Sequence, residues 1–364
     1  MSDSMTRTAL PAWTVFFAAS ATATLVGIFT TVTFSQDPQE ALLKEARGTF
    51  QPIPKDGATA ESPVTPDRVE LGRKLFFDPR ISIDGTGSCV HCHQPSLYGT
   101  DGLPKASGVQ GKMTPRNSPT VLNASLHFRI HWDGVLEDVE EQARKSLLGP
   151  GFGNPDFAAA MIRIKGIPGY PELFHKTFPD EADPVTEGNW AKAIGAYERT
   201  LVTSSRLDDY LGGKTGALTA EEKRGLRTFL DVGCANCHRG ALLGGTNYEK
   251  FGVTGDYWKE THSAEVDEGR FKVTKNSDDR YVFKVPSLRN VDKTPPYFHD
   301  GSVKTLPEAV RIMAKLQLDK DLSDQETKGI LTFLASLTGS LPENFANVPI
   351  LPPAAFDSQP AAVK

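Results

Sequence analysis

Two stretches decide how this chain folds: Glu70–His93, ELGRKLFFDPRISIDGTGSCVHCH, and Glu221–His238, EEKRGLRTFLDVGCANCH. Each runs from a helix-like segment with Leu and Phe on one face, through a short glycine-containing loop, into Cys-x-x-Cys-His. The chain's 4 cysteines are Cys89, Cys92, Cys234 and Cys237, so these two motifs use all of them. The pattern reads as c-type haem attachment. Two thiols add across the two vinyl groups of one haem, and the next residue, His93 or His238, brings its imidazole under the iron. Competing readings fit less well. A thioredoxin-like redox pair needs a βαβ setting and no trailing His. A four-cysteine zinc site has its pairs ~15–20 residues apart, far closer than Cys92 and Cys234. Structural disulfides require no adjacent histidines.

Working outward, Pro66–Phe77 has the apolar spacing of a helix, with Thr65 as N-cap and Pro66 in the first turn. Helices are also expected at 136–148, 155–164, 190–202, 220–230, 306–318 and 324–337. Residues 37–65 read as a polar, Pro-rich linker, 81–125 as loop, 208–216 as a connection, and 239–304 as a long loop rich in Gly, Asp and aromatics. A structureless stretch of that length is usually functional. Strand-like alternation is scarce. The expected fold class is mainly α, with two domains of similar build and long ordered loops. The expected boundaries are 37–204 for the N-terminal domain, 205–341 for the C-terminal domain, and 342–364 for a Pro/Ala-rich tail that wraps or frays.

Composition agrees. A chain of 364 residues suggests two domains, or three. With 39% apolar and 23% charged residues it is neither a disordered tail nor a many-spanning membrane protein. A net charge of −5 without a basic block excludes nucleic acid as an expected partner. The first 36 residues stand apart: Arg7 is the only basic residue before Lys44, and Trp13 to Phe34 carry no charge. This is an export segment, either a cleaved signal peptide or a retained N-terminal membrane anchor. The remainder is expected to face the periplasm.

Each haem iron has a second axial position, whose occupant decides what that haem does. Met1 and Met5 lie in the export segment, which leaves Met113, Met161 and Met313. Met161 sits in an apolar helix, Met113 in a loop, and Met313 on the helix after the Gly/aromatic-rich loop. A helical Met is most often packing, so spacing alone leaves the ligand open.

Further motifs occur in a fixed order: LFFDPRIS (75–82), TPRNSPTVLNAS (114–125), HWDG (131–134) and VPSLRNVDKTPPYFHDG (285–301). With the two Cys-x-x-Cys-His sites they resemble the bacterial di-haem cytochrome c peroxidases, whose superfamily includes the MauG-type methylamine-utilisation enzymes. The resemblance covers roughly residues 65–340 and implies two cytochrome c-like haem domains with long ordered loops. It implies that the haem on Cys234 and Cys237 is the electron entry point, ligated by His238 and Met313. A MauG-type enzyme has Tyr at the latter place. It implies that the haem on Cys89 and Cys92, with His93 as ligand, is the peroxidatic one, and that Trp132 carries electrons between them. It implies a Ca2+ held by the Asn117 side chain and the carbonyls of Thr294 and Pro296. It further implies a small donor protein (a cytochrome c or a cupredoxin), hydrogen peroxide as substrate, and a homodimer.

Two departures bear on this. The loop position at which resting peroxidases carry a capping His falls on Val109, and no His lies between His93 and His127. The distal Gln matches Gln142, but the distal Glu falls on Phe152, in GPGFGNP. A positioned acid–base group commonly contributes ~10²–10⁴-fold, and Phe cannot supply it. Glu141, His127 and His131 are substitutes that sequence cannot place. The expected function is therefore a periplasmic di-haem cytochrome c peroxidase. The alternatives are a di-haem electron-transfer or redox-sensing protein without efficient turnover, and a MauG-like oxidase.

Overall fold

The computed structural model describes residues 38–353. The export segment and the last part of the tail lie outside the described residues. The fold is mainly α. Its helices are α1 (Pro38–Thr49), α2 (Pro66–Phe77), α3 (Cys89–Cys92), α4 (Val139–Ser146), α5 (Phe157–Gly166), α6 (Tyr170–Thr177), α7 (Glu187–Glu198), α8 (Arg206–Leu211), α9 (Ala220–Val232), α10 (Tyr257–Glu260), α11 (Phe271–Thr274), α12 (Leu306–Leu318), α13 (Asp324–Ala335) and α14 (Glu343–Ala346). Strands β1 (Tyr248–Lys250) and β2 (Val282–Lys284) pair antiparallel, with Tyr248 opposite Lys284. Among the described residues no helix is long and apolar enough to cross a membrane.

Helix starts follow local chemistry. Thr65 caps α2 by accepting the Arg68 N–H, with Pro66 in the first turn. Thr219 and Glu222 form a capping box on α9, and Ser323 and Glu326 do the same on α13. Several segments differ from the sequence reading, among them the expected long loop 239–304, which holds β1, α10, α11 and β2, and the expected tail, which holds α14. Residues 38–49 are helical rather than linker, because Leu43 and Ala46 find an apolar surface to bury against. Residues 206–211 form α8 rather than a connection, started by the Ser205–Asp208 capping box. Helix α6 was not anticipated: its short apolar face, Tyr170 and Phe174, is buried.

One packing arrangement occurs twice. Helix α2 crosses α7 at Gly72, where a Cβ would overlap the Ala193 carbonyl. Helix α9 crosses α13 at Gly225, where a Cβ would overlap the Gly329 carbonyl. Only glycine allows backbones this close. Four residues on, Phe76 meets Tyr197 at 5.3 Å, and Phe229 meets Phe333 at 5.2 Å. Each pair anchors its own apolar cluster. The first gathers Leu75, Phe76, Trp190, Ile194 and Tyr197, the second Leu226, Phe229, Ile330 and Phe333. The ends of the described chain cross over: Leu43 of α1 and Phe50 just after it join the second cluster, and Phe345 of α14 joins the first. A third cluster, with Tyr257, Tyr297, Ile312 and Leu316, forms under the loops between β1 and α12.

Candidate haem-binding sites

Each crossing helix delivers the chain to a Cys-x-x-Cys-His turn. Cys89 and Cys92 bracket α3, and Cys234 opens a single 3₁₀ turn after Gly233 caps α9 in a left-handed conformation. All four thiols are unpaired. Burial raises the pKa of each, to about 11 for Cys92 and Cys234. Redox-active pairs show the reverse, a stabilised thiolate. No group of three or more His, Cys, Asp or Glu placed to hold a metal occurs among the described residues.

The two histidines are oriented alike. His93 Nδ1 lies 3.0 Å from the Gly99 carbonyl and His238 Nδ1 2.9 Å from the Leu243 carbonyl. A carbonyl only accepts, so in both rings Nδ1 carries the proton and Nε2 keeps its lone pair. Burial lowers both pKa values, favouring the neutral, ligating form. Fixing the outer nitrogen in this way is how proteins orient a metal-bound imidazole. The residues therefore fit covalently held haem.

Beyond His238 lies a largely apolar cavity of about 280 Å3. Cys234, Cys237, His238 and Met313 all line it, Met313 from α12. Asn117, Trp132, Thr294 and Pro296 line the same cavity. Trp132 is held at both ends: its indole N–H donates to the Asn117 carbonyl at 2.9 Å, and its own carbonyl accepts the Lys284 N–H at 2.8 Å. Asn117 also donates its backbone N–H to His299 and its side-chain amide to Leu103, which leaves Oδ1 free of donors among the described residues. Arg116 ties this segment down, bonding Asp133 and Asp267.

The residues that the family resemblance assigns to the first site have other surroundings. Phe152 is buried, its ring edge-on to Trp190 at 5.6 Å. Gln142, on α4, is half-buried, and its carboxamide has no hydrogen-bond partner among the described residues. Val109 is buried against the GPGFG loop, its N–H donating to the Pro150 carbonyl at 2.9 Å. Of the substitute acids and bases, Glu141 is spent on Lys145 and the Glu137 N–H, and His127 on Lys284. His131 lines the large cavity. Met113 is exposed, and Met161 is buried in the first cluster.

Sequence reasoning missed Glu198. It closes α7 with 5% exposure, and its side chain has no hydrogen-bond partner among the described residues. Burial pushes its pKa up to about 8, with the Glu140 charge adding and Arg199 opposing. Its charge bears on Cys89. A Glu at a helix end reads as solvated, so nothing in the sequence marks it.

Two covalent haem sites in a mainly α chain define a di-haem c-type cytochrome. The comparisons narrow this. Residues 66–216 match the family model described as di-haem cytochrome c peroxidase. The chain is 41% identical over 318 residues to cytochrome c551 peroxidase of Pseudomonas aeruginosa, covering 86% of this chain and 90% of that protein. It is 33% identical over 289 residues to methylamine utilization protein MauG of Methylorubrum extorquens, covering 76% and 79%. A solved structure of a MauG-like protein associated with microbial copper homeostasis superposes with a TM-score of 0.70 at 28% identity, covering 80% of this chain and 96% of that one. The chain belongs to the di-haem cytochrome c peroxidase and MauG family, and is a peroxidase-type oxidoreductase.

Proposed function

We propose that this chain is an exported, periplasmic cytochrome c peroxidase. It reduces hydrogen peroxide to two waters, consuming two protons and two electrons taken singly from a small cytochrome c or cupredoxin. The observation that carries the reading is Met313, a thioether on the same cavity as His238. Thioether ligation raises a haem's potential, as uptake from a protein donor requires.

When bound, the two haems supply the redox chemistry, one receiving electrons and the other cutting the O–O bond. The protein's part is positional. Gly99 and Leu243 fix the two imidazoles. Trp132, clamped between Asn117 and Lys284, is the electron path between the sites. Gln142 orients peroxide through its unpaired carboxamide. Asn117 Oδ1 and the carbonyls of Thr294 and Pro296 would hold Ca2+ by oxygen alone, which suits a hard cation. The working unit comprises an N-terminal haem domain (37–204) and a C-terminal one (205–341), the latter with α1 packed on its core. It acts as a homodimer, with the first 36 residues as signal or anchor.

Steady-state assay with peroxide and reduced cytochrome c tests the proposal. Turnover well above that of free haem is expected, and calcium chelation should lower it. Phe152 favours one second reading, an electron-transfer or redox-sensing protein. Fast, reversible reduction of both haems with no peroxide turnover would establish that reading instead. A MauG-like oxidase is disfavoured by Met313.

A further inference from the structure

Among the described residues, Lys284 is the one Lys or Arg lining the large cavity that bonds no carboxylate. Arg129 bonds Glu137 at 3.2 Å, and Arg289 forks onto Asp208 at 2.8 and 2.7 Å. Lys284, only 7% exposed, ends β2 and places its Nζ 2.7 Å from His127 Nδ1. Glu249, the single acidic side chain lining the cavity among the described residues, stands opposite Phe283 in the β1–β2 ladder, out of register with Lys284, and accepts the Asn247 amide. Burial lowers the Lys284 pKa to about 8, and no neighbouring carboxylate offsets it.

The hydrogen-bond chemistry of the pair is one-sided. An ammonium only donates, so His127 Nδ1 must be the acceptor and its proton sits on Nε2. What remains for a third party is the rest of the Lys284 N–H set and the His127 Nε2–H, donors without exception. Both residues line the cavity that His238 and Met313 line. A buried cation is costly unless paired, so the cavity is built to receive an anion that only accepts.

We propose that Lys284 and His127 form the receptor for a carboxylate, a propionate of the haem attached at Cys234 and Cys237. This rests on the reading that haem occupies the cavity. Because the Lys284 N–H also holds the Trp132 carbonyl, the same residue ties that propionate to the interhaem tryptophan.

The test uses the haem-loaded protein and variants Lys284→Met, Lys284→Arg and His127→Phe. Two properties are read: the midpoint potential of the Met-ligated haem and its propionate bending modes by resonance Raman. A nearby positive charge favours the reduced haem. Lys284→Met should therefore lower the potential and shift a propionate mode while the near-infrared Met-to-iron band persists. Lys284→Arg should restore both, and His127→Phe should shift the mode alone. Wild-type potential should not respond to added acetate at fixed ionic strength. Unchanged potential and modes in Lys284→Met would overturn the proposal. So would a wild-type potential that follows acetate and loses that response in the variant, since the site would then hold an exchangeable anion. Should Lys284→Met not fold, His127→Phe and the acetate titration decide alone. Absence of haem from wild-type protein would instead sink the di-haem reading.

Discussion

Behind His93 the chain places Gly72 and Phe76 of α2 against α7; behind His238 it places Gly225 and Phe229 of α9 against α13 in the same relation. In each the outer imidazole nitrogen meets a main-chain carbonyl. The far sides diverge. The second site faces a cavity with a thioether on its wall, whereas Phe152, buried against Trp190, holds the position at which the family resemblance expects a carboxylate for the first. The comparison teaches that attachment and function are separable. The repeat fixes where a haem goes, and in the proposed function a few residues outside it decide whether that haem stores electrons or meets peroxide.

The largest expected effect breaks the second half of this comparison. Met313→His replaces a thioether with an imidazole, and axial ligation spans ~0.8 V of haem potential across proteins. The potential of this haem should fall by on the order of 100 mV, the near-infrared band should vanish, and turnover with a protein donor should drop ~10²-fold or more. Spectroelectrochemistry and steady-state kinetics would show it. Persistence of the band would place the ligand elsewhere and remove the asymmetry.

Next is Phe152→Glu, which sharpens the first half. A carboxyl restored beside peroxide should speed the single-turnover reaction by ~10–10²-fold, within the usual range for a positioned acid–base group. Loss of a fully buried aromatic costs ~3–5 kcal/mol in comparable truncations, so a lower melting temperature should accompany the gain. Stopped-flow mixing with peroxide separates the two. A destabilised variant with an unchanged rate would mean Phe152 is packing alone and that proton handling lies with another group.

The repeat itself was legible in sequence: Cys-x-x-Cys-His is local, and the Leu/Phe spacing of 66–77 and 220–230 needs no tertiary information. Helix α12 was readable for the same reason. Helix α1 was not. Only Leu43 and Ala46 of its residues are buried, and the cluster that buries them is built from residues beyond 206. The Lys284–His127 pair was equally hidden, because the partners lie far apart in sequence and meet only when β2 closes over the HWDG loop. Glu198 shows the limit most plainly, since a carboxylate's solvent access is a property of its neighbours.

A smaller pair of effects tests whether the two crossings are equivalent. Alanine in an open helix stabilises by ~1 kcal/mol relative to glycine. At Gly72 and Gly225 the sign should invert, each Gly→Ala costing ~1–3 kcal/mol as the helices are forced apart. Gly48, with nothing near its Cβ position, is the control and should gain ~0.5–1 kcal/mol. Denaturant unfolding gives the stabilities. The Met-to-iron band should loosen first in Gly225→Ala and persist longer in Gly72→Ala. Equal behaviour would mean the two units unfold as one.

The least effect concerns Glu198, which has no counterpart near Cys234 among the described residues. Its pKa is raised from 4.5 to about 8. Between these values the folded protein keeps a proton that the unfolded chain has released. Stability therefore falls as pH climbs from about 4.5 to about 8 and levels off above, with a slope of at most ~1.4 kcal/mol per pH unit from this group. Glu198→Gln should flatten that slope and leave the protein more stable than wild type at the alkaline end, with little change at the acid end. Urea midpoints below, within and above the window would show it. An unaltered slope would mean that Glu198 reaches water or a counter-charge, and that the first haem site is not distinguished by a buried acid at its edge.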